Sequence, residues 1–198
     1  MNVLVVYAHP CPESFNAAVK DKVVTTLEAA GHLVRVADLY AEGFQPAMDA
    51  AERRRYHDAG ENEHGVTREI ERIKWAQALV FVYPTWWFGL PAMLKGWLDR
   101  SFVPHMAFAM PPESESLSGK LDHIRVVGVV TTCGANWMVS KLMGEPGRKM
   151  LVRGIRGLCA RQCRTFYCAL YKMDTVSEGE RRRYLNEIAR TLTRSLGH

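Results

Sequence analysis

Three short segments carry the residue types from which a binding site can be assembled: residues 8–16 (AHPCPESFN), 84–89 (PTWWFG) and 131–135 (TTCGA). In the first, Ser14 and Asn16 are candidates to cap a following helix, whose opening N–H groups then stay free for an anion. The segment holds no Lys or Arg. A phosphate there would rest on those N–H groups, the Ser14 hydroxyl and His9, each charge-assisted hydrogen bond contributing about 1.5–3 kcal/mol. In the second, Trp86, Trp87 and Phe88 follow an apolar run directly and offer flat faces rather than packing surface. In the third, Thr131, Thr132, Cys133 and Gly134 supply hydroxyls and small side chains that let a ring come close. Together the three segments describe a site for a phosphorylated, planar, partly polar heterocycle.

Such segments meet only if the strands before them lie side by side. Apolar runs at 2–8, 33–38, 78–83, 124–132 and 165–169 read as five strands, with Pro84 expected to end the third. Between them, helical spacing appears at Val19, Val23, Leu27 and Ala30, with Gly31 placed as a left-handed C-cap. Further helices are expected near 48–57, 66–78, 91–102 and 138–154, the last broken at 145–147. Gly89 and Pro91 set up the start of the 91–102 helix. Ser177 and Glu180 form a capping box that opens a final helix in which Tyr184, Ile188 and Leu192 share one face. Residues 104–120 read as an exposed loop. Strands alternating with helices predict a three-layer α/β sandwich with a five-stranded parallel sheet, in the flavodoxin-like order 2-1-3-4-5. Ligands of such sheets bind beyond the carboxyl ends of the strands.

With 198 residues, 47% of them hydrophobic, the chain is expected to form a single domain over 1–198 around one sizeable core. No apolar run approaches the roughly 20 residues that span a bilayer, and no export signal opens the chain, so a cytoplasmic protein without stable membrane insertion is expected. The five cysteines then read as free thiols, with Cys11 and Cys133 as small fillers. His57 and His64 stand seven apart, too far for a helical ligand pair, and no metal is expected. A formal charge of +5 favours anionic ligands weakly and does not by itself imply nucleic acid. The triplets at 53–55 and 181–183 read as solvated helix faces.

His9-Pro10, Ser14-Phe15-Asn16, Pro84 with Trp87-Phe88-Gly89, Pro91-Ala92, Leu94-Lys95-Gly96-Trp97, Arg100 and Thr131-Thr132 resemble the NAD(P)H:quinone oxidoreductase family, of the DT-diaphorase and modulator-of-drug-activity type. The likeness runs from residue 2 to about residue 135. It implies a flavodoxin-like homodimer, with its site shared between subunits, that carries FAD, or FMN in some branches. It further implies ping-pong hydride transfer from NAD(P)H to a quinone. By position, His9, Ser14, Phe15 and Asn16 look like pyrophosphate and ribityl contacts. Pro84, Thr85, Trp86, Trp87 and Phe88 look like the isoalloxazine cradle, and Thr131, Thr132, Cys133 and Gly134 like contacts to its polar edge. Trp87 and Phe88 would border the substrate, and Phe108 and Met110 stand where the family has an aromatic pair closing the partner's site. The tyrosine and histidine of the family's proton relay fall on Val139 and Glu145, which leaves Glu145 as a weak catalytic candidate. The helix carrying Met93, Trp97 and Phe102 has apolar surface enough for dimerisation. A regulatory flavoprotein ancillary to a potassium efflux transporter shares these loops and is the alternative, as is reduction of azo or nitro compounds. A one-electron carrier fits poorly, because such carriers are strongly acidic.

Overall fold

The computed structural model describes residues 1–110 and 118–197. Near-continuous runs of valine, leucine and isoleucine form the strands that are covered on both faces, as a parallel sheet requires. These are β1 (Asn2–Tyr7), β3 (Ala78–Thr85) and β6 (Val126–Cys133), with β2 (Leu33–Asp38) and β7 (Arg164–Leu170) at the edges. The sheet order is β2-β1-β3-β6-β7 and every pairing in it is parallel. β4 (Phe108–Ala109) and β5 (Ser118–Gly119) form a separate antiparallel pair. Setting that pair aside, the order is the expected 2-1-3-4-5. The stretch 111–117 of the anticipated loop at 104–120 lies outside the described residues, and the two short strands flanking it had no sequence signal.

Alternate side chains along each strand enter opposite layers. Val3, Val5, Val80, Val82, Val126 and Val130 pack with Val19, Val23 and Leu27 of α1 (Phe15–Ala29) and with Tyr184, Ile188 and Leu192 of α7 (Glu178–Leu196). Leu4, Val6, Leu79, Phe81 and Val129 face the other way. Two short helices, α2 (Ala50–Arg54) and α3 (Thr67–Trp75), precede α4 (Ala92–Ser101), and that layer is built from Ile70 and Ile73 of α3 with Leu94, Trp97 and Leu98 of α4. The predicted capping box is formed: Glu180 N donates to the Ser177 hydroxyl and Ser177 N donates to the Glu180 carboxylate. Gly31 adopts φ 78° where α1 stops. The broken helix expected at 138–154 resolves into α5 (Trp137–Leu142) and α6 (Pro146–Lys149), the latter running into a π-helical stretch at Met150–Ile155.

Three expectations are corrected. Pro84 does not end the third strand; β3 continues through it, pairing Pro84 with Thr132 and Thr85 with Cys133. The Val82 carbonyl accepts from Ala8 N, so the even-numbered residues of β3 turn their backbone groups towards β1. β1 is finished by residue 84, and the missing N–H of proline leaves no ladder partner unmet. Pro91 is the extended residue before α4 rather than its first helical residue (φ −55°, ψ 146°). Finally, of the three residues expected to give the 91–102 helix its apolar surface, Trp97 and Phe102 are buried in the chain's own core and only Met93 is half-exposed.

Candidate functional site

The three segments singled out in the sequence converge on one cavity of about 640 Å³ at the carboxyl edge of the sheet. His9, Ser14, Phe15 and Asn16 line it from the first segment, Pro84 to Phe88 from the second, and Thr132, Cys133 and Gly134 from the third. Thr131 does not reach it. Side chains alternate along β6, and Thr131 turns into the interior, where its hydroxyl donates to the Tyr83 carbonyl (2.7 Å) and lies 2.9 Å from the Thr85 hydroxyl. It therefore supports Thr85, which lines the cavity, from beneath. Phe108 and Met110 do not line this cavity, and neither do Val139 and Glu145.

Each wall has a local cause. Ser14 caps α1 by accepting from Ala17 N, which leaves the Phe15 and Asn16 amides facing outward without a protein partner among the described residues. Asn16 is not a cap. It is buried in the first turn and donates Nδ2 to the Thr132 hydroxyl at 2.8 Å, tying α1 to the end of β6. Its Oδ1 is buried with no partner. Cys11 N donates to His9 Nδ1 at 3.0 Å, so a neutral His9 ring carries its proton on Nε2. That ring sits 6.2 Å from the Trp86 ring.

The aromatic wall is a tight turn, not the start of a helix. Gly89 N donates to the Trp86 carbonyl at 2.9 Å, and the two central residues, Trp87 and Phe88, have φ 48° and 61°. That is the φ pattern of a type I′ turn, which ordinarily takes Asn-Gly because both positions need positive φ. Bulky residues held there cost of order 1–3 kcal/mol each, and such strain gathers at functional positions. The consequence is display: Trp87 is 97% exposed, with its ring carried over the cavity mouth.

Ala135, the last residue of the third segment, also lines the cavity, and Met173 and Asp174, which carry no sequence signal, complete it. Lys172 N and Met173 N donate to the carbonyls of Ala135 and Cys133, which holds the loop after β7 against the third segment. A Cβ on Gly134 would stand 2.8 Å from Asp174 Oδ2, so the glycine permits that close approach.

Behind the turn, a cluster of half-buried polar groups braces it. Glu145, in the left-handed region at φ 46° and ψ 59°, accepts from Lys141 (2.5 Å), Arg148 (2.9 Å) and the Tyr171 hydroxyl (2.7 Å). Burial works against its charge, yet these three donors hold the carboxyl below the usual carboxylate range. Burial pushes the Tyr167 hydroxyl up to about 12 and raises Tyr83 and Tyr171 as well. These tyrosines are neutral hydrogen-bonding groups at physiological pH. Among the described residues no cluster of three or more His, Cys, Asp or Glu is placed to hold a metal ion, and no helix is long and apolar enough to cross a membrane. The five cysteines are free thiols.

A parallel sheet in this order, with its cavity at the switch between β1 and β3, defines a class. A family model described as a flavodoxin-like fold matches residues 1–190, and the chain belongs to that family. Within it, the chain is 36% identical over 157 residues to ribosyldihydronicotinamide dehydrogenase [quinone] of Pongo abelii, covering 70% of this chain and 66% of that enzyme. It is 29% identical over 153 residues to NAD(P)H dehydrogenase [quinone] 1 of Cavia porcellus, covering 69% of this chain and 55% of that one. The match thus spans just under two thirds of the first enzyme and about half of the second. Among solved structures, it is similar to an NAD(P)H:quinone oxidoreductase from Methanothermobacter marburgensis, with TM-score 0.80, 28% identity, and coverage of 100% of this chain and 98% of the other.

Proposed function

We propose that this protein is a flavin-dependent NAD(P)H:quinone oxidoreductase working as a cytoplasmic homodimer, with FAD as the preferred flavin and FMN as the alternative. One observation carries the reading. A strained, displayed aromatic turn and the free Phe15 and Asn16 amides face the same cavity, and neither serves the stability of the fold. The Phe15 and Asn16 amides, the Ser14 hydroxyl and His9 suit the phosphate end of a flavin nucleotide. The orphaned Asn16 Oδ1 offers an acceptor for a ribityl hydroxyl, which would satisfy a buried atom the protein leaves bare. Pro84 to Phe88 suit the face of the ring, and Thr132, Cys133 and Gly134 its polar edge.

When bound, the flavin accepts hydride from a dihydronicotinamide and passes two electrons to a quinone. The chain's own residues bind and orient. Thr131 fixes Thr85, and the Glu145 cluster fixes the back of the turn, so the cradle is held in one shape before any ligand enters. Trp87 and Phe88 border the space for both substrates, which supports alternate occupancy of one cavity. The dimer is supported by a second exposed feature: Trp137, Met138 and Leu142 of α5 and Met143 just after it are exposed apolar side chains, Leu142 to 84%. A second copy seated there would cover that apolar face, and the family resemblance assigns Phe108 and Met110 to closing the partner's site.

The test is direct. The purified protein is expected to be yellow, to release FAD on heating, and to oxidise NADPH rapidly when menadione is supplied. A colourless, correctly folded protein that neither binds added flavin nor turns over would refute the proposal.

A further inference from the structure

A cavity of about 430 Å³ beside the Glu145 cluster gathers Lys141, Arg148, Lys149 and Arg153, with Glu145 and Thr165 in its wall. Its connection to the candidate site runs through shared residues. Glu145 and Arg148 line both this cavity and the small one behind the turn, whose other wall includes Thr85, Phe88 and Cys133 of the main site. α6 begins directly against the turn, since a Cβ on Gly147 would stand 3.3 Å from the Gly89 carbonyl carbon.

The charges there are unbalanced by construction. Four cations face one carboxylate, a formal excess of three positive charges. Glu145 is fully engaged by Lys141, Arg148 and Tyr171. Lys149 and Arg153 have no carboxylate partner within ion-pair distance among the described residues. The backbone explains the grouping. Lys149 and Arg153 are four apart, as helical neighbours, and the π-helical stretch at Met150–Ile155, whose hydrogen bonds run from i to i+5, follows α6 directly and keeps Arg153 in one cavity with Arg148. A concave basic wall focuses potential and concentrates anions, and arginine suits phosphate in particular.

We infer that this basic cavity receives phosphate groups of the hydride donor, so that the chain takes a phosphorylated dihydronicotinamide dinucleotide in preference to an unphosphorylated dihydronicotinamide riboside. The inference rests on the function proposed above, because the donor must already lie with its ring at the aromatic turn. The cations would then hold the distal half of the molecule, and the specificity of the site would come from charge placed outside the ring pocket.

The flavin-loaded protein and its Lys149→Glu, Arg153→Glu and doubly substituted forms are assayed with menadione and three donors: NADPH, NADH and dihydronicotinamide riboside. Each charge reversal is expected to lower the kcat/KM for NADPH relative to the riboside by about tenfold, the double variant by more, with Arg153→Lys recovering most of the loss. An effect on NADPH alone assigns the cavity to the 2′-phosphate, and an equal effect on NADH assigns it to the diphosphate. Equilibrium dialysis with adenosine 2′,5′-bisphosphate should show a parallel loss of affinity without reference to turnover. A donor ratio unmoved in the double variant, or a wild-type preference for the riboside, overturns the inference. Absence of turnover with every donor instead overturns the proposed function and the donor assignment with it, and dialysis then decides separately whether the cavity binds phosphate.

Discussion

Two tryptophans ten residues apart in one block of sequence have opposite fates. Trp97, in α4, is wholly buried; its ring packs edge-on against Phe81 and Phe102, and its indole N–H donates to Glu69 at 2.7 Å. Trp87, in the turn that precedes α4, is almost wholly exposed on a backbone its residue type disfavours. Around Trp97 the charged groups are paired, and the one buried side-chain atom of α4 left without a partner among the described residues is the Ser101 hydroxyl. Glu69 is also held by Arg72, which reaches Glu42, and Arg100 is paired with Glu52. In the cavity that Trp87 lines, groups are left open: an unpartnered Asn16 oxygen, free helix amides and a displayed ring. The difference separates residues that hold the fold from residues the fold holds up. Composition alone makes both aromatic; only backbone conformation and hydrogen-bond bookkeeping tell them apart.

That contrast can be broken at its stable end. Trp97→Ala removes a large ring from a closed core and takes the indole donor from Glu69, and should cost about 3–5 kcal/mol in urea unfolding. Flavin affinity of the molecules that remain folded should be unchanged. A loss below about 1 kcal/mol would mean that Trp97 is not the anchor its burial indicates.

The bracing cluster sits between the two regions. Glu145→Gln leaves Lys141 and Arg148 without their carboxylate and should cost about 1–3 kcal/mol at neutral pH. Because the folded state holds the Glu145 carboxyl below its ordinary range, its contribution is present above that range and is lost as pH falls through the lowered folded value. The wild-type protein should therefore lose stability on acidification more steeply than the variant. Parallel stability–pH curves would remove Glu145 from this role.

The smallest stability effect is expected at the displayed end. Trp87→Gly places the residue type that positive φ favours in a strained position, and its unfolding free energy should stay within about 1 kcal/mol of wild type, in either direction. Flavin retention should nevertheless collapse. A stability loss as large as that of Trp97→Ala would erase the distinction between the regions.

Much of this was legible in the sequence, for identifiable reasons. Runs such as ALVFVY have no polar alternation, so strands covered on both faces could be recognised, and the alternation with helices then fixed the layer architecture and sheet order. The loops at 8–16 and 131–135 could be assigned to one edge because the strands before them are parallel. What escaped depended on contacts between distant backbone groups. Met173 and Asp174 enter the site because two amides after β7 find carbonyls at Cys133 and Ala135, and no local pattern announces that pairing. The turn at 86–89 escaped because intrinsic preference argues against Trp-Phe at two positive φ positions. The inward rotation of Thr131 and the continuation of β3 through Pro84 both follow from a register that spacing alone does not give.

The central claim is that the open cavity at the sheet edge is a flavin site held ready by the fold. Its most direct test is fluorescence titration of flavin-free protein with FAD, carried out on wild type and on Trp87→Gly, with urea unfolding recorded for both. The account predicts saturable binding by wild type at one flavin per chain, and severe loss of binding in a variant whose unfolding curve barely moves. Equal FAD affinity in the two proteins, or no binding by well-folded wild type, would contradict it.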